Sequence, residues 1–287
     1  MKTRIITAVV AAAIFIPILI FSSTWAFPIA MAFASVMGCI EMVSCAGQKK
    51  NLWLMIPTCV VGALGPLSVR FFYLYVGNTT SSFNEFLRLG VGIALILMIY
   101  IIAVAVFDSK RLPITDAGMI CAGCLYVIAA FCSIVYLRDF VPLGKYIYLL
   151  VFFCAWMTDS FAYFTGRLFG RHKLIPAVSP KKTVEGAIGG VIFGVITIVV
   201  FGFVIETFFD PNGIISANYL VLAISGVFIS VVAQIGDLMM SVIKRHYGVK
   251  DYGNLLPGHG GILDRFDSIL SVSIVIAIIC SYFNLFA

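Results

Sequence analysis

Long apolar runs separated by short polar clusters occupy most of this chain. A helix needs about 20 apolar residues to cross the hydrocarbon core of a bilayer, and the runs here have about that length. The pattern therefore predicts an all-α, polytopic integral membrane protein with nine transmembrane helices. The predicted spans are residues 5–21, 25–45, 52–69, 87–107, 114–137, 146–166, 186–209, 219–240 and 268–286.

The first run follows Lys2 and Arg4 and resembles a signal peptide. No small-x-small cleavage site follows it, so we expect a retained first helix.

Composition excludes several classes of protein. Hydrophobic residues make up 62% of the 287 residues and charged residues only 11%, with a mean hydropathy of +1.09. A soluble domain carries about 25% charged residues, so a soluble enzyme, a disordered chain and a nucleic-acid-binding domain are excluded. The net charge of +6 comes from basic residues between apolar runs, which favours anionic lipid headgroups of the bilayer over nucleic acid as a partner.

The basic residues also predict an orientation. Fifteen of the 19 Lys and Arg residues fall in one set of alternate loops and four in the other. Because cytoplasmic loops carry the excess of basic residues, we expect a cytoplasmic N-terminus and an outer C-terminus in the cell inner membrane. We expect residues 1–145 to provide membrane embedding and dimer contacts, and residues 146–287 to form a catalytic region with a cytoplasm-facing polar site.

Several polar or reactive residues have a structural interpretation. All eight cysteines lie in or beside apolar runs, where a thiol acts as a small hydrophobe. Cys121 and Cys124 have metal-site spacing, but no histidine or second cysteine pair lies near them in sequence. Glu41 and Arg70 fall near span ends, where they can snorkel or sit in the interface. His172 and His246 are expected to be solvated.

Asp159 lies inside a predicted span, and an ionisable group there indicates function. Asp159, Tyr163 and Arg167 follow at intervals of four, so one helix face carries an acid, a hydroxyl and a base. The structural alternative is an Asp–Arg pair within the helix.

A second polar stripe ends the eighth predicted span and must face protein or a water-filled cavity. It consists of Gln234, Asp237, Ser241 and Lys244. The ninth span is preceded by Asp264 and Asp267, one turn apart, with Arg265 between them. The three aspartates are typical of a hard-cation site for Mg²⁺, to which phosphates supply the other ligands. Neutralisation of each acid by Lys or Arg is the structural alternative.

Two segments have features of phosphate binding. Residues 179–183 read as a helix start, with Ser179 as N-cap and Pro180 at the first position, which would direct Lys181 and Lys182 at an anion. Residues 256–261 form a glycine-rich turn that contains His259, Gly260 and Gly261. Its backbone N–H groups can approach a phosphate closely, and His259 can donate to one. Lys244, Arg245 and Lys250 precede this turn.

Residues 241–267, SVIKRHYGVKDYGNLLPGHGGILDRFD, resemble the signature of the phosphatidate cytidylyltransferases, the CDP-diacylglycerol synthases. Residues 159–163, residues 179–186 and the Gly236–Asp237 pair resemble that family too. The resemblance covers residues 156–267, whereas the first half is matched only in being hydrophobic.

The resemblance implies that CTP and phosphatidate are converted to CDP-diacylglycerol and pyrophosphate. It also implies a nine-helix, commonly homodimeric fold, with Mg²⁺ and a second cation such as K⁺. By motif position Asp237 and Asp264 are metal ligands, with Asp267 close by, and we assign catalysis to these three with Lys250 and Arg265. The residues expected to bind phosphate, CTP or the lipid headgroup are Asp159, Tyr163, Ser179, Lys181, Lys182, Ser241, Lys244, Arg245, His259, Gly260 and Gly261.

Two alternatives remain at this stage. A cation or organic-anion transporter would also have an intramembrane acid, but it needs polar groups near the midplane and a path to both sides. A cytidylyltransferase for another lipid phosphate, such as an ether lipid, would share the headgroup chemistry. The predicted polar groups cluster toward one face, which favours the enzyme.

Overall fold

The computed structural model describes residues 2–77, 80–209, 215–255, 258 and 260–286. Nine α-helices and one short antiparallel hairpin form within these residues. The helices are α1 (Lys2–Ile20), α2 (Ala26–Cys45), α3 (Leu52–Phe71), α4 (Thr80–Phe107), α5 (Ile114–Asp139), α6 (Gly144–Phe169), α7 (Val184–Phe208), α8 (Tyr219–His246) and α9 (Leu263–Tyr282). The hairpin strands are β1 (Lys173–Ile175) and β2 (Ser179–Thr183), and a π-helical turn, Phe72–Val76, extends α3.

The predicted all-α membrane architecture is confirmed, since each predicted span coincides with a helix. Seven helices, α2 to α8, are long and apolar enough to cross a bilayer. Large apolar side chains lie on the outside of the molecule; Phe107, for example, is 91% exposed. A multi-pass membrane protein accounts for that exposure, because lipid and not water would contact these side chains. The full count of nine spans and the orientation stay predictions.

The chain folds into two compact units. The first comprises residues 1–140 and 246–266, and the second comprises residues 141–245 and 267–287. Residues 263–266 of α9 therefore belong to the first unit and the rest of that helix to the second. The predicted functional division at residue 146 stays a prediction.

In the first unit, Arg70 forms a buried ion pair rather than snorkelling. It is 2% exposed, and its Nη1 lies 2.7 Å from Asp139 Oδ1. Its Nη2 donates to the carbonyl oxygens of Ser22 and Thr24 in the turn before α2. Arg70 therefore does not snorkel, because Asp139 of α5 and the turn before α2 supply its partners. The predicted structural role agrees with these contacts.

In the second unit, α6 and α7 pack closely through a glycine face. Gly186, Gly190 and Gly194 recur every four residues on α7 and are buried. A Cβ on Gly190 would lie 3.0 Å from Ala162 Cβ and from the carbonyl oxygen of Thr158 on α6. Small residues allow such close approach between membrane helices. The opposite face of α7 exposes large apolar side chains, namely Ile188, Ile192 and Ile196.

The predicted helix start at Ser179 is wrong. Residues 179–183 form β2, and α7 begins after it with Thr183 as N-cap, whose Oγ1 accepts from Gly186 N at 3.1 Å. Pro180 fixes φ at a value that a short strand accepts as well as a helix start. Thr183 is also a preferred N-cap residue, and the helix uses it.

Candidate active site

A cavity of about 390 Å³ in the second unit brings many of the predicted residues together. Its volume is within the range of small-molecule pockets, about 300–1,000 Å³. Helices α6, α7 and α8, strand β2 and the second-unit part of α9 all contribute to it. The charged and polar side chains around it include Asp159, Tyr163, Arg167, Lys181, Lys182, Thr183, Gln234, Asp237 and Asp267.

The predicted polar face of α6 is confirmed. Asp159, Tyr163 and Arg167 all line the cavity. Within the described chain, Asp159 is not paired with Arg167; its Oδ2 accepts a hydrogen bond from Ser268 Oγ at 2.8 Å. The alternative of an Asp–Arg pair is therefore wrong. Asp159 is instead a cavity carboxylate held by α9.

The predicted polar stripe of α8 also faces protein and the cavity. Asp237 Oδ2 forms an ion pair with Lys182 Nζ at 2.6 Å, and its Oδ1 accepts from Ser241 Oγ at 3.4 Å. Gln234 Nε2 donates to the carbonyl oxygen of Ala187 on α7 at 3.1 Å. The ion pair between Lys182 and Asp237 joins strand β2 to α8. At Asp237 the structural alternative, neutralisation by a lysine, is thus realised, and the metal-binding role of Asp237 stays a prediction.

Asp264 lies at the start of α9 in the first unit and is 8% exposed. Its Oδ2 accepts from the backbone N–H groups of Tyr252 and Gly261, at 2.8 and 2.9 Å. Gly260 has a φ of +89°, and a Cβ there would lie 2.8 Å from the same Asp264 oxygen. Gly260 and Gly261 thus fit closely around the Asp264 carboxylate. Its predicted role in phosphate binding stays a prediction.

No three His, Cys, Asp or Glu side chains in the described parts of the chain lie close enough together to hold a metal. The predicted pair of metal ligands, Asp237 with Asp264, relies on phosphate oxygens for the remaining positions and stays a prediction.

The other predicted residues take varied positions. Lys181 lines the cavity, whereas Ser179, on the same strand, is not among its lining residues. Lys244 is buried at the end of α8, and Gly261 is buried in the loop before α9. Arg245, Lys250 and Arg265 are exposed and do not line the cavity. His259 lies outside the described residues.

Sequence reasoning missed two acidic contacts. Glu41 is 5% exposed and does not snorkel; its carboxylate accepts from the backbone N–H groups of Ile262 and Leu263. The rule that singled out Asp159, an acid inside an apolar span, applies to Glu41 as well.

Glu185 makes the second contact that the sequence did not predict. It accepts from the backbone N–H of His172 and lies 2.6 Å from His172 Nδ1. His172 remains exposed, as predicted, but it is paired.

Comparison with known proteins agrees with the signature. The model of the cytidylyltransferase family matches residues 2–283. A phosphatidate cytidylyltransferase of Staphylococcus saprophyticus is 36% identical over 273 residues, which are 95% of this chain and 96% of the relative. A phosphatidate cytidylyltransferase of Bacillus subtilis is 33% identical over 275 residues, 95% of this chain and 94% of the relative. The match extends well beyond the motifs of the second half, and the chain belongs to the cytidylyltransferase family.

Proposed function

We propose that this protein transfers the cytidylyl group of CTP to phosphatidate, forming CDP-diacylglycerol and pyrophosphate for phospholipid biosynthesis. The observation that carries the proposal is the cavity in which three aspartates, Asp159, Asp237 and Asp267, lie with Lys181, Lys182 and Arg167. Relatives at 33% and 36% identity that bear the name of this activity support it.

The proposed reaction needs charge neutralisation more than proton transfer. A phosphate monoester has a second pKa near 6, so the phosphatidate oxygen is already largely anionic at neutral pH. That oxygen attacks the α-phosphorus of CTP, and the bond from the α-phosphorus to the bridging oxygen of the leaving pyrophosphate breaks. The obstacle is the approach of two anions, which positioned cations reduce. Lys181, Lys182 and Arg167 lie where they can serve this purpose.

The residues present fit a magnesium ion. Carboxylate oxygens are hard donors of the kind Mg²⁺ takes, and the cavity contains three aspartates, Asp159, Asp237 and Asp267. We propose Asp237 and Asp264 as its protein ligands, with Asp267 close by and K⁺ as the second cation. When bound, Mg²⁺ supplies Lewis-acid charge neutralisation on the phosphates. Lys182 would exchange Asp237 for a phosphate oxygen when nucleotide binds.

We propose further that the cavity faces the cytoplasm at the inner membrane and that the enzyme is a homodimer. The hairpin beside the cavity and the end of α6 carry exposed cations, Arg167, Arg171, Lys173 and Lys181, in agreement with the excess of basic residues in predicted cytoplasmic loops. CTP would enter from the cytosol and phosphatidate from the bilayer. The homodimer rests on the family resemblance.

The transporter alternative is less well supported. Tyr163 and Arg167 lie in the last seven residues of α6, toward one helix end, whereas Asp159 lies just past the middle of the helix. A transport site would be expected near the midplane.

Product analysis tests the choice of substrate. Purified protein in nanodiscs is given CTP labelled in the cytidine ring together with phosphatidate, an ether-linked lipid phosphate or neither. We expect label in the lipid phase with phosphatidate and none without an acceptor. Label appearing only with the ether lipid would reassign the acceptor, and absence of label with both lipids would contradict the transferase.

A further inference from the structure

Glu41 connects the second helix to the start of the ninth. Its Oε1 accepts from Ile262 N at 2.9 Å and its Oε2 from Leu263 N at 2.8 Å. Leu263 is the first residue of α9. The first N–H groups of a helix have no acceptor inside the helix, and a negative charge there is favourable to the helix dipole. Glu41 thus caps α9 from 222 residues away in sequence.

The backbone of the loop before α9 fits closely around this carboxylate. A Cβ on Gly253 would lie 2.7 Å from Glu41 Oε1, and a Cβ on Gly261 would lie 2.3 Å from the same oxygen. Real Cβ atoms do not approach that closely, so a larger residue at either position would displace the Glu41 carboxylate from its hydrogen bonds. The two glycines of the loop therefore make room for Glu41, an acid from helix α2.

Asp264 holds the same loop from the other direction. Its Oδ2 accepts from Tyr252 N and Gly261 N, while Glu41 accepts from Ile262 N and Leu263 N. The two carboxylates therefore bind three successive N–H groups, residues 261–263, directly before Asp264. Any shift of this backbone moves the Asp264 carboxylate with it.

Capping of α9 does not by itself explain why a glutamate on another helix is used. Serine, threonine or aspartate beside the helix start is the ordinary cap. A buried carboxylate on an apolar helix is costly and is expected only where its geometry has a use.

We propose that Glu41 is a positioning residue for the transferase reaction: it fixes the backbone at residues 261–263 and so sets the Asp264 carboxylate. This inference rests on the role proposed above for Asp264. Glu41 acts through the loop and is not assigned any contact with substrate.

The direct test compares Glu41→Gln with Glu41→Asp in nanodiscs. Glutamine keeps the volume, but its amide nitrogen cannot accept from an N–H group, so one of the two bonds is lost. Aspartate keeps the charge but is shorter. Glu206→Gln is the matched control, because Glu206 lies on α7 and accepts from Tyr219 Oη outside the cavity.

The readouts are kcat and KM for CTP and phosphatidate, and amide hydrogen exchange of a peptide covering residues 260–265. We expect Glu41→Gln to lower kcat about 10- to 100-fold, the usual effect of losing a residue that orients a ligand, with both KM values changed less than about threefold. Exchange in the peptide should rise, and Glu41→Asp should recover part of kcat. Faster exchange with an unchanged kcat would reduce Glu41 to a structural cap and overturn the proposal.

Asp264→Asn separates this inference from the role on which it rests. An active Asp264→Asn enzyme would refute the role of Asp264 itself. An inactive Asp264→Asn enzyme beside a fully active Glu41→Gln enzyme would refute only the positioning by Glu41.

A double-variant cycle keeps the contact testable if Glu41→Gln does not fold. Gly261→Ala should lower the thermal midpoint in the wild-type background, because the new methyl group meets Glu41. In a Glu41→Asp background, where the shorter carboxylate leaves room for the methyl group, the same change should cost less. Equal losses in both backgrounds would show that Gly261 and Glu41 are not in contact and would overturn the proposal.

Discussion

Lys182 Nζ lies 2.6 Å from Asp237 Oδ2, so an ion pair joins the hairpin strand β2 to helix α8 beside the cavity. Both side chains are about one-quarter exposed. The pair holds a phosphate-binding candidate against a metal-binding candidate. The Lys182 Nζ atom itself is buried against Asp237, so it would have to leave this carboxylate to meet a substrate phosphate.

Replacing Lys182 with methionine should therefore impair catalysis. The variant removes a cation from the cavity and leaves Asp237 without its ion-pair partner, and we expect kcat/KM for CTP to fall at least about tenfold, which corresponds to about 1.4 kcal/mol of transition-state stabilisation. Lys182→Arg should retain more activity. Lys173→Met is the matched control, since Lys173 is an exposed lysine on β1 that does not line the cavity. Wild-type kinetics for Lys182→Met would exclude the lysine from the reaction.

Ser268→Ala should destabilise the protein through Asp159. The hydroxyl donates to Asp159 Oδ2, which is partly buried, and a hydrogen bond to a charged group contributes about 1.5–3 kcal/mol. Ser273→Ala is the comparison, because that buried hydroxyl donates to Leu270 O of its own helix. The measurement is the thermal midpoint in detergent. Equal midpoints for the two variants would argue against the α6–α9 hydrogen bond.

Asp139→Asn tests the buried ion pair of the first unit. It leaves the Arg70 guanidinium without its charged partner, and breaking a buried pair on one side costs about 3–5 kcal/mol. The double variant Arg70→Met, Asp139→Leu should recover much of that loss, because a hydrophobic pair of similar volume is often as stable. Thermal unfolding of the single and double variants provides the comparison. A double variant less stable than Asp139→Asn would contradict this expectation, because it would mean that the ion pair stabilises the fold more than a hydrophobic pair can.

The helices were predictable because each apolar run is long enough to cross a bilayer and is bounded by polar residues. The polar faces of α6 and α8 were also predictable. On each helix an aspartate, Asp159 or Asp237, is followed by a hydroxyl residue and a basic residue three or four positions apart, so the three side chains lie on one face. Local periodicity is sufficient where one element contains the whole pattern.

Other features depend on partners far away in sequence. Glu41 meets Leu263 across 222 residues, and no local pattern indicates that the loop before α9 surrounds it. The hairpin was missed because Ser179 and Pro180 satisfy the rules for a helix start, although Thr183 is the residue that caps α7. The structural role of Arg70 was predictable from its place near a span end, but its buried partner was not, because Asp139 is on another helix.

Pyrophosphate release by the purified protein tests the central claim most directly. CTP and phosphatidate are supplied together and singly, with and without Mg²⁺, to the wild type, Asp237→Asn and the control Glu206→Gln. We predict release only when both substrates and Mg²⁺ are present, lost in Asp237→Asn and retained in Glu206→Gln. Release by folded Asp237→Asn at the wild-type rate, or release by the wild type without phosphatidate, would contradict the account.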